Sequence, residues 1–513
     1  MRRSHTRAWR RGRLAAAAAA ALLLGIAGCS GSSDNAEEGA ADAPAPQGPG
    51  ALPLTQPDPN IDGNFTDYGV NPEIDTAEDN KSTFALDVDT GSYSIVRSHL
   101  DQGLLPDEAA VRTEEMVNYF PQDYDAPAEG LRAHIDGTSV PFLDDSTRQV
   151  LRVGVQAAEV EPEDRQPATL TFVIDRSGSM EGRNMEMVRS ALHTLVDGLD
   201  PEDEVGIVTY GDDATHELET TPASEETAIR SVIDDLRPDG STYTEAGLRA
   251  GYEVAAENQR DDGINRVILL SDGVANVGET DPEVLADDIV SPMAEDVPLL
   301  TVGVGMDVFN DPLLEQLANQ GGGFYTFVDS EHEIERLFAD DLTGTLEAVA
   351  TDARVQVTFD PDEVESFRLL GYENRQMEDE EFLEEDADGG HLGAGHSATA
   401  LYEVAMPNVR ESADAAEVAQ VEVLWTDPDS GETLQDVTTL QHKDLAEAFN
   451  EAPDALQETI LVGAFAEGLR GAPWGEEIAM GTVATNARRL ADDQPSDRPF
   501  GEFADLVETA TEL

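Results

Sequence analysis

Leu170-Thr171-Phe172-Val173-Ile174-Asp175-Arg176-Ser177-Gly178-Ser179 decides the reading of this chain. The first five residues show no polar alternation, the pattern of a strand buried on both faces in the middle of a parallel sheet. Asp175, Ser177 and Ser179 then fall at its carboxyl end, the edge of an open α/β sheet where ligands bind. One carboxylate and two hydroxyls, on a loop that small Gly178 lets fold tightly, make a hard oxygen nest suited to Mg²⁺, Mn²⁺ or Ca²⁺ and poorly suited to zinc. Taken alone, the same triplet also reads as a helix N-cap with serine hydroxyls satisfying orphan amides.

The flanking pattern extends the sheet. Met185, Val188, Ala191, Leu192, Leu195 and Leu199 recur at helical spacing, and Val205-Gly206-Ile207-Val208-Thr209 reads as the next strand. Helices over 223–236, 244–257 and 311–319 alternate with strands over 266–271, 299–304 and 324–328. This alternation predicts an α/β fold with a doubly wound, mostly parallel sheet. No G-x-G-x-x-G or Walker loop accompanies it, so no nucleotide is implied.

Two further segments complete a constellation. Gly240-Ser241-Thr242-Tyr243-Thr244 supplies a hydroxyl on a loop before a helix, and Val267-Ile268-Leu269-Leu270-Ser271-Asp272-Gly273 ends a second buried strand on an aspartate. Together with the first segment they resemble the metal-ion-dependent adhesion site of the von Willebrand factor A (VWA) family. By that resemblance Ser177, Ser179 and Thr242 are direct or near-direct ligands of a Mg²⁺, Mn²⁺ or Ca²⁺ ion, and Asp175 and Asp272 bind it directly or through water.

At 513 residues the chain has room for about three domains, and the VWA unit occupies 166–347. The amino end is a targeting segment. Arg2, Arg3, Arg7, Arg10, Arg11 and Arg13 precede an Ala- and Leu-rich run over 14–24, and Ile26-Ala27-Gly28-Cys29 looks like a lipobox. The apolar run is shorter than the ~20 residues that span a bilayer, so residues 1–28 read as a cleaved lipoprotein signal peptide. Cys29, the sole cysteine, reads as the acylated terminus, which predicts a lipid-anchored protein on the extracytoplasmic face of the cell membrane. Residues 29–63 are Ser, Gly, Asp, Glu, Ala and Pro with almost no aliphatic content, a composition that cannot bury enough surface to fold and reads as a tether.

The formal net charge is -75, and loss of the six arginines of residues 1–28, a segment without acids, takes it to -81. Lys81 and Lys443 are the only lysines. Such a surface repels nucleic acid, which is excluded as a partner. It suits a saline exterior, where short screening lengths tame self-repulsion; a solvated acidic surface with a bias of Arg over Lys is the plainer reading.

Residues 64–128 contain Ser82-Thr83-Phe84-Ala85-Leu86-Asp87-Val88-Asp89-Thr90-Gly91-Ser92-Tyr93 and Arg112-Thr113-Glu114-Glu115-Met116-Val117-Asn118-Tyr119-Phe120, which look like the accessory N-terminal domain of a group of bacterial VWA lipoproteins. Phe84, Leu86 and Val88 alternate as in a strand, with Thr90 or Ser92 as a cap for the following helix. Asp87 and Asp89 invite a calcium-loop reading, but the third acidic position of an EF-hand is missing. After the VWA unit the period changes to two at Val355, Val357, Phe359, at Ala400, Tyr402, Val404 and at Val421, Val423, Trp425, so 348–445 read as a β-sandwich. The runs at Leu131–Ile135 and Val150–Val155, within 129–165, lack helical companions and are expected to join it, making the VWA unit an insertion. His391 and His396, without nearby acids or thiols, read as turn or packing residues. Residues 446–513 are helical, with Ile460, Leu461, Ala464, Phe465 and Leu469 on one apolar face, and Gly468-Leu469-Arg470-Gly471 resembles the C-terminal domain of the same lipoprotein group.

No serine-histidine-acid series, zinc motif or phosphate loop appears, and His193 and His216 stand alone. The expectation is therefore a binding protein, not an enzyme, whose metal engages an Asp or Glu of a protein partner. A structural subunit in which the metal only stiffens the sheet is the alternative, and a metal-dependent hydrolase the third reading.

Overall fold

The computed structural model describes residues 65–513 apart from 143–146, 163, 262, 274–276, 294–296, 306–310, 385–386, 388, 407–413 and 495–497. The expected signal peptide, Cys29 and tether lie outside the described residues. Among those described, no helix is long and apolar enough to cross a membrane.

Six described strands form the central sheet, in the order Tyr325–Val328, Leu299–Val304, Ile264–Ser271, Ala168–Asp175, Glu204–Tyr210, Ala214–Pro222. The first five run parallel. Every residue of Ala168–Asp175 is buried, as its unbroken apolar run requires of a central strand covered on both faces. One covering layer sets Met185, Val188, Leu192 and Leu195 of the helix Arg183–Gly198 against Phe172 and Ile174. The other sets Leu248 and Tyr252 of Thr244–Glu257 against Val173, Val267 and Leu269. The sixth strand, Ala214–Pro222, is antiparallel and departs from the expected series. It is an edge strand of sequence ATHELETTP with no buried residue, so it never shows the apolar signature by which strands are recognised.

A second pair of sheets packs face to face. One runs Ile74–Asp75, Ser366–Leu370, Ser397–Ala405, Arg148–Ala157, Leu131–Ser139, and the other Gly390–Gly393, Ala348–Phe359, Glu417–Thr426, Thr433–Gln441, with Lys81–Ala85 also paired to Ala348–Phe359. Phe359 and Phe367 stack between them at 4.3 Å, beside Tyr402 and Leu151. Arg148–Ala157 pairs along its length with Ser397–Ala405, and the whole parallel sheet lies in sequence between these partners. Strand Lys81–Ala85 stops short of Leu86 and Val88, against the alternation that suggested a longer one.

The third core joins the early helices Gly91–Asp101 and Thr113–Asn118 to the late helices Asp454–Leu469, Met480–Asp493 and Arg498–Glu512. Phe120 meets Phe503 edge-on at 5.6 Å and Phe465 does so at 5.5 Å. Asp454–Leu469 is buried all round from Ala455 to Glu467, not on one face, as suits a helix enclosed by others. Neither Thr90 nor Ser92 caps Gly91–Asp101 through its side chain; the Ser92 N–H instead donates to Glu115 Oε2 at 2.7 Å, a carboxylate supplied by the next helix. Early segment and parallel sheet are tied by charge: Arg97 donates to Asp329 and, at 3.0 Å, to Glu333, while the Tyr325 N–H donates to Asp89 Oδ1 at 2.8 Å.

Candidate metal centre

Asp175 ends its strand fully buried, and three donors hold its carboxylate. The Ser177 N–H donates to Oδ1 at 2.8 Å. The hydroxyls of Ser271 and Tyr210 donate to Oδ2 at 2.8 and 3.3 Å. Sheet register positions both: Tyr210 lies opposite Asp175 on one parallel neighbour, and Ser271 closes the other. Neither was singled out as a site residue from sequence, although Ser271 directly precedes Asp272. The signal available was register, since parallel strands of matched length bring their last residues to one edge.

Ser177 Oγ and Ser179 Oγ stand 2.9 Å apart, with Ser177 buried and Ser179 exposed, so the hydroxyl pair reaches from the interior to solvent. Thr242 and Asp272 are 1% and 2% exposed. The threonine loop is stitched in place by backbone bonds: the N–H of Gly178 donates to Gly240 O at 3.1 Å, that of Tyr243 to Gly211 O at 3.1 Å, and that of Val277 to Thr242 O at 3.2 Å. The turn requires Gly240, whose φ is +94° and whose added Cβ would lie 2.8 Å from the Asp212 nitrogen. Gly178, by contrast, is not demanded by its loop. A Cβ there would meet nothing nearer than Gly240 O at 3.9 Å, so the tight-turn role expected of it is corrected.

Burial first, and then the negative charge of Asp272, push the Asp175 carboxyl up to about 6, while the hydrogen bonds from Ser177 and Ser271 pull it down. No arginine or lysine figures among these influences. Two acids that oppose each other's ionisation in a dry site, with hydroxyls beside them, fit a hard divalent cation: it would supply the missing positive charge and take lone pairs from carboxylate and hydroxyl oxygens. Among the described residues no group of three or more His, Cys, Asp or Glu could hold a metal. This site is of a different make, two carboxylates with hydroxyl oxygens.

The remaining sequence candidates part from it. Asp87 accepts from Asp89 N–H at 2.8 Å and from Arg375 Nε at 3.2 Å, so both its oxygens are taken by a loop and a guanidinium, while Asp89 accepts the Tyr325 N–H through Oδ1 and leaves Oδ2 buried without a hydrogen bond among the described residues. His391 is half-buried, and the desolvation of its ring, first among the causes, pushes its imidazole down to about 4. His396 does have an acid close by, against expectation: its Nε2 lies 2.9 Å from Asp341 Oδ2, and its ring meets Phe324 edge-on.

Three family models match in succession: "von Willebrand factor" over 60–151, "von Willebrand factor type A domain" over 169–340, and "Uncharacterized protein YfbK, C-terminal" over 344–513. The Uncharacterized protein YfbK of Escherichia coli (strain K12) is 31% identical over 471 residues, spanning 87% of this chain and 80% of that protein. The chain belongs to the YfbK family of VWA proteins. Outside the family, the human inter-alpha-trypsin inhibitor heavy chain H4 is 30% identical over 202 residues, 38% of this chain and 21% of that one. A solved von Willebrand factor type A protein from Catenulispora acidiphila overlaps with a TM-score of 0.41 at 13% identity, covering 74% of this chain and 89% of its own. In this YfbK relative the VWA model begins at Thr169, on the strand that delivers Asp175, so the matched domain contains the whole oxygen nest.

Proposed function

We propose that this YfbK-family protein is a binding module of the cell envelope, anchored through lipidated Cys29, whose VWA domain holds Mg²⁺ and presents it to an Asp or Glu of a protein partner. Asp175, Ser177, Ser179, Thr242 and Asp272 would hold the ion, Asp175 through the lone pair its three donors leave or through water. Mn²⁺ and Ca²⁺ suit the same oxygens. The carrying observation is the buried Asp175 beside Asp272 at the sheet's carboxyl edge, with the Ser177–Ser179 hydroxyl pair opening to solvent. Mg²⁺ demands near-octahedral oxygen ligation, so an ion held by so few protein oxygens gains from an incoming carboxylate.

This reading makes the protein a binding module and not an enzyme. The acidic surface suits a saline exterior and a partner whose own field is not strongly negative. The test is affinity purification of the membrane-anchored full chain in Mg²⁺ followed by elution with EDTA. A partner released by chelation, and not captured by the Asp175→Ala variant, supports the reading. Partners that stay bound in EDTA favour the structural-subunit alternative. Cys29→Ser should move the protein out of the membrane fraction; a variant retained at normal mass contradicts the anchor.

A further inference from the structure

Asp89 joins two parts of the molecule. It lies on the early segment just before the helix Gly91–Asp101, and its Oδ1 accepts the N–H of Tyr325, the first residue of the parallel sheet's edge strand Tyr325–Val328, at 2.8 Å. Asp89 is 1% exposed, and its Oδ2 is buried without a hydrogen bond among the described residues. A cavity of about 10 Å³ adjoins it, walled also by Asp87, Asn319, Arg375 and His391, with room for one water at most.

The charges nearby oppose a second anion. Asp87 and Glu315 act on Asp89 with the same sign and Arg375 with the opposite one. Arg375 is committed elsewhere, donating from Nε to Asp87 Oδ2 at 3.2 Å and from Nη2 to Asn319 Oδ1. Arg112 lies 3.5 Å from Asp87, 3.1 Å from Glu114, 2.9 Å from Glu115 and 2.5 Å from Glu315. Two arginines therefore stand against five buried acids: Asp87, Asp89, Glu114, Glu115 and Glu315. Arg336 stops at the Thr90 hydroxyl, to which it donates at 3.4 Å, and His391, with its imidazole pushed down to about 4, adds no positive charge near neutral pH. Burial first, and then the charge of Asp87, push the Asp89 carboxyl well above the usual carboxylate range.

An ionised carboxylate with one oxygen unmet in a dry, negative site is strongly disfavoured, whereas the neutral acid still accepts the Tyr325 N–H through its carbonyl oxygen. We propose that Asp89 is a proton-held latch: as the neutral acid it docks the early segment onto the edge of the parallel sheet, and its ionisation loosens the strand Tyr325–Val328 and the neighbouring helix Asp311–Gln320. Opening lets water reach the carboxyl, which then titrates near about 3.9. Each opening at neutral pH releases one proton, so the joint is firmest in acid and the open population climbs by about tenfold per pH unit until the docked acid itself ionises.

Hydrogen–deuterium exchange of the full chain, read by mass spectrometry beside Asp89→Asn, tests this. The asparagine keeps the shape and the acceptor for the Tyr325 N–H but has no proton to lose. Dividing the native rate by the variant rate at one pH cancels the chemistry of exchange itself. Over Tyr325–Val328 and Asp311–Gln320 that ratio should climb by at least about tenfold between about pH 5.5 and about pH 7.5. Over the sandwich strand Arg148–Ala157 it should stay level. A level ratio at the joint, or an equal climb in both places, would overturn the proposal. Should Asp89→Asn fail to fold, the native chain decides alone: exchange of Tyr325–Val328 relative to Arg148–Ala157 must climb over the same range, and a level ratio overturns the latch.

Discussion

Ser271 donates its hydroxyl to Oδ2 of Asp175 at 2.8 Å, across two neighbouring parallel strands that end at the same edge. The Ser271 Oγ in turn accepts the Gly273 N–H at 3.0 Å, so one hydroxyl orients both the first carboxylate and the loop that starts at Asp272. Ser271→Ala should therefore weaken Mg²⁺ binding without abolishing it. Loss of one charge-assisted hydrogen bond is worth about 1.5–3 kcal/mol, or roughly a 10- to 150-fold rise in Kd. Calorimetry checks this, and an unchanged Kd would show that Asp175 is held by Ser177 and Tyr210 alone.

A pH dependence follows from the same carboxyl. Its pKa without metal is about 6, against about 3.9 in an unfolded chain. Between those values the folded state keeps a proton that the unfolded state has lost, so this group's contribution to stability falls as pH rises through the window and is level above it. Mg²⁺ needs the ionised form, so the rise in Tm caused by Mg²⁺ should be larger at about pH 7.5 than at about pH 5. Thermal denaturation at both pH values, with Mg²⁺ or EDTA, measures it. Equal shifts would mean that Asp175 takes no part in holding the ion.

The parallel edge was the most legible part of the sequence, because Leu170–Ile174 and Val267–Leu270 are apolar on both faces and each run ends on an acid. Asp175 and Asp272 could be found by reading outward from those strands. Tyr210 was hidden, since it matters only through its register with Asp175. Strand Ala214–Pro222 was hidden too, because an exposed edge has no burial pattern to display. Long-range pairing was partly visible: the alternation at Val150–Val155 suggested a sheet, but nothing local specifies that Tyr402 sits opposite Leu151. Gly178 drew attention by its place between the two serines, whereas positive φ falls on Gly240 of the threonine loop and on Gly273 after Asp272.

Arg97 fastens the early helix to the end of the parallel sheet. It reaches Asp329 and Glu333, and the Tyr119 hydroxyl also donates to Glu333, at 2.6 Å. Burial pushes the Asp329 carboxyl up even with this arginine beside it. Arg97→Met should cost about 3–5 kcal/mol by leaving the acids uncompensated. The double variant Arg97→Met with Asp329→Leu should recover part of that loss in chemical denaturation. Additive losses would contradict a coupled pair.

Salt should act on the whole surface. With a formal charge of -75 in the full chain, self-repulsion weakens as the Debye length falls from ~30 Å at 0.01 M to ~3 Å at 1 M. The Tm of the Asp175→Ala variant, in which ion binding at the nest is removed, should rise steeply with NaCl over that range. A flat curve would mean that the acids are well spaced and solvated, and the saline-exterior reading would fall with it.

The central claim is that Asp175, Ser177, Ser179, Thr242 and Asp272 form one divalent-cation site, and calorimetric titration with Mg²⁺ of the native chain and of Asp175→Ala tests it most directly. The account predicts a single saturable site in the native protein and none in the variant, with the two giving the same far-ultraviolet circular dichroism. A variant that still binds Mg²⁺ with native affinity would contradict it.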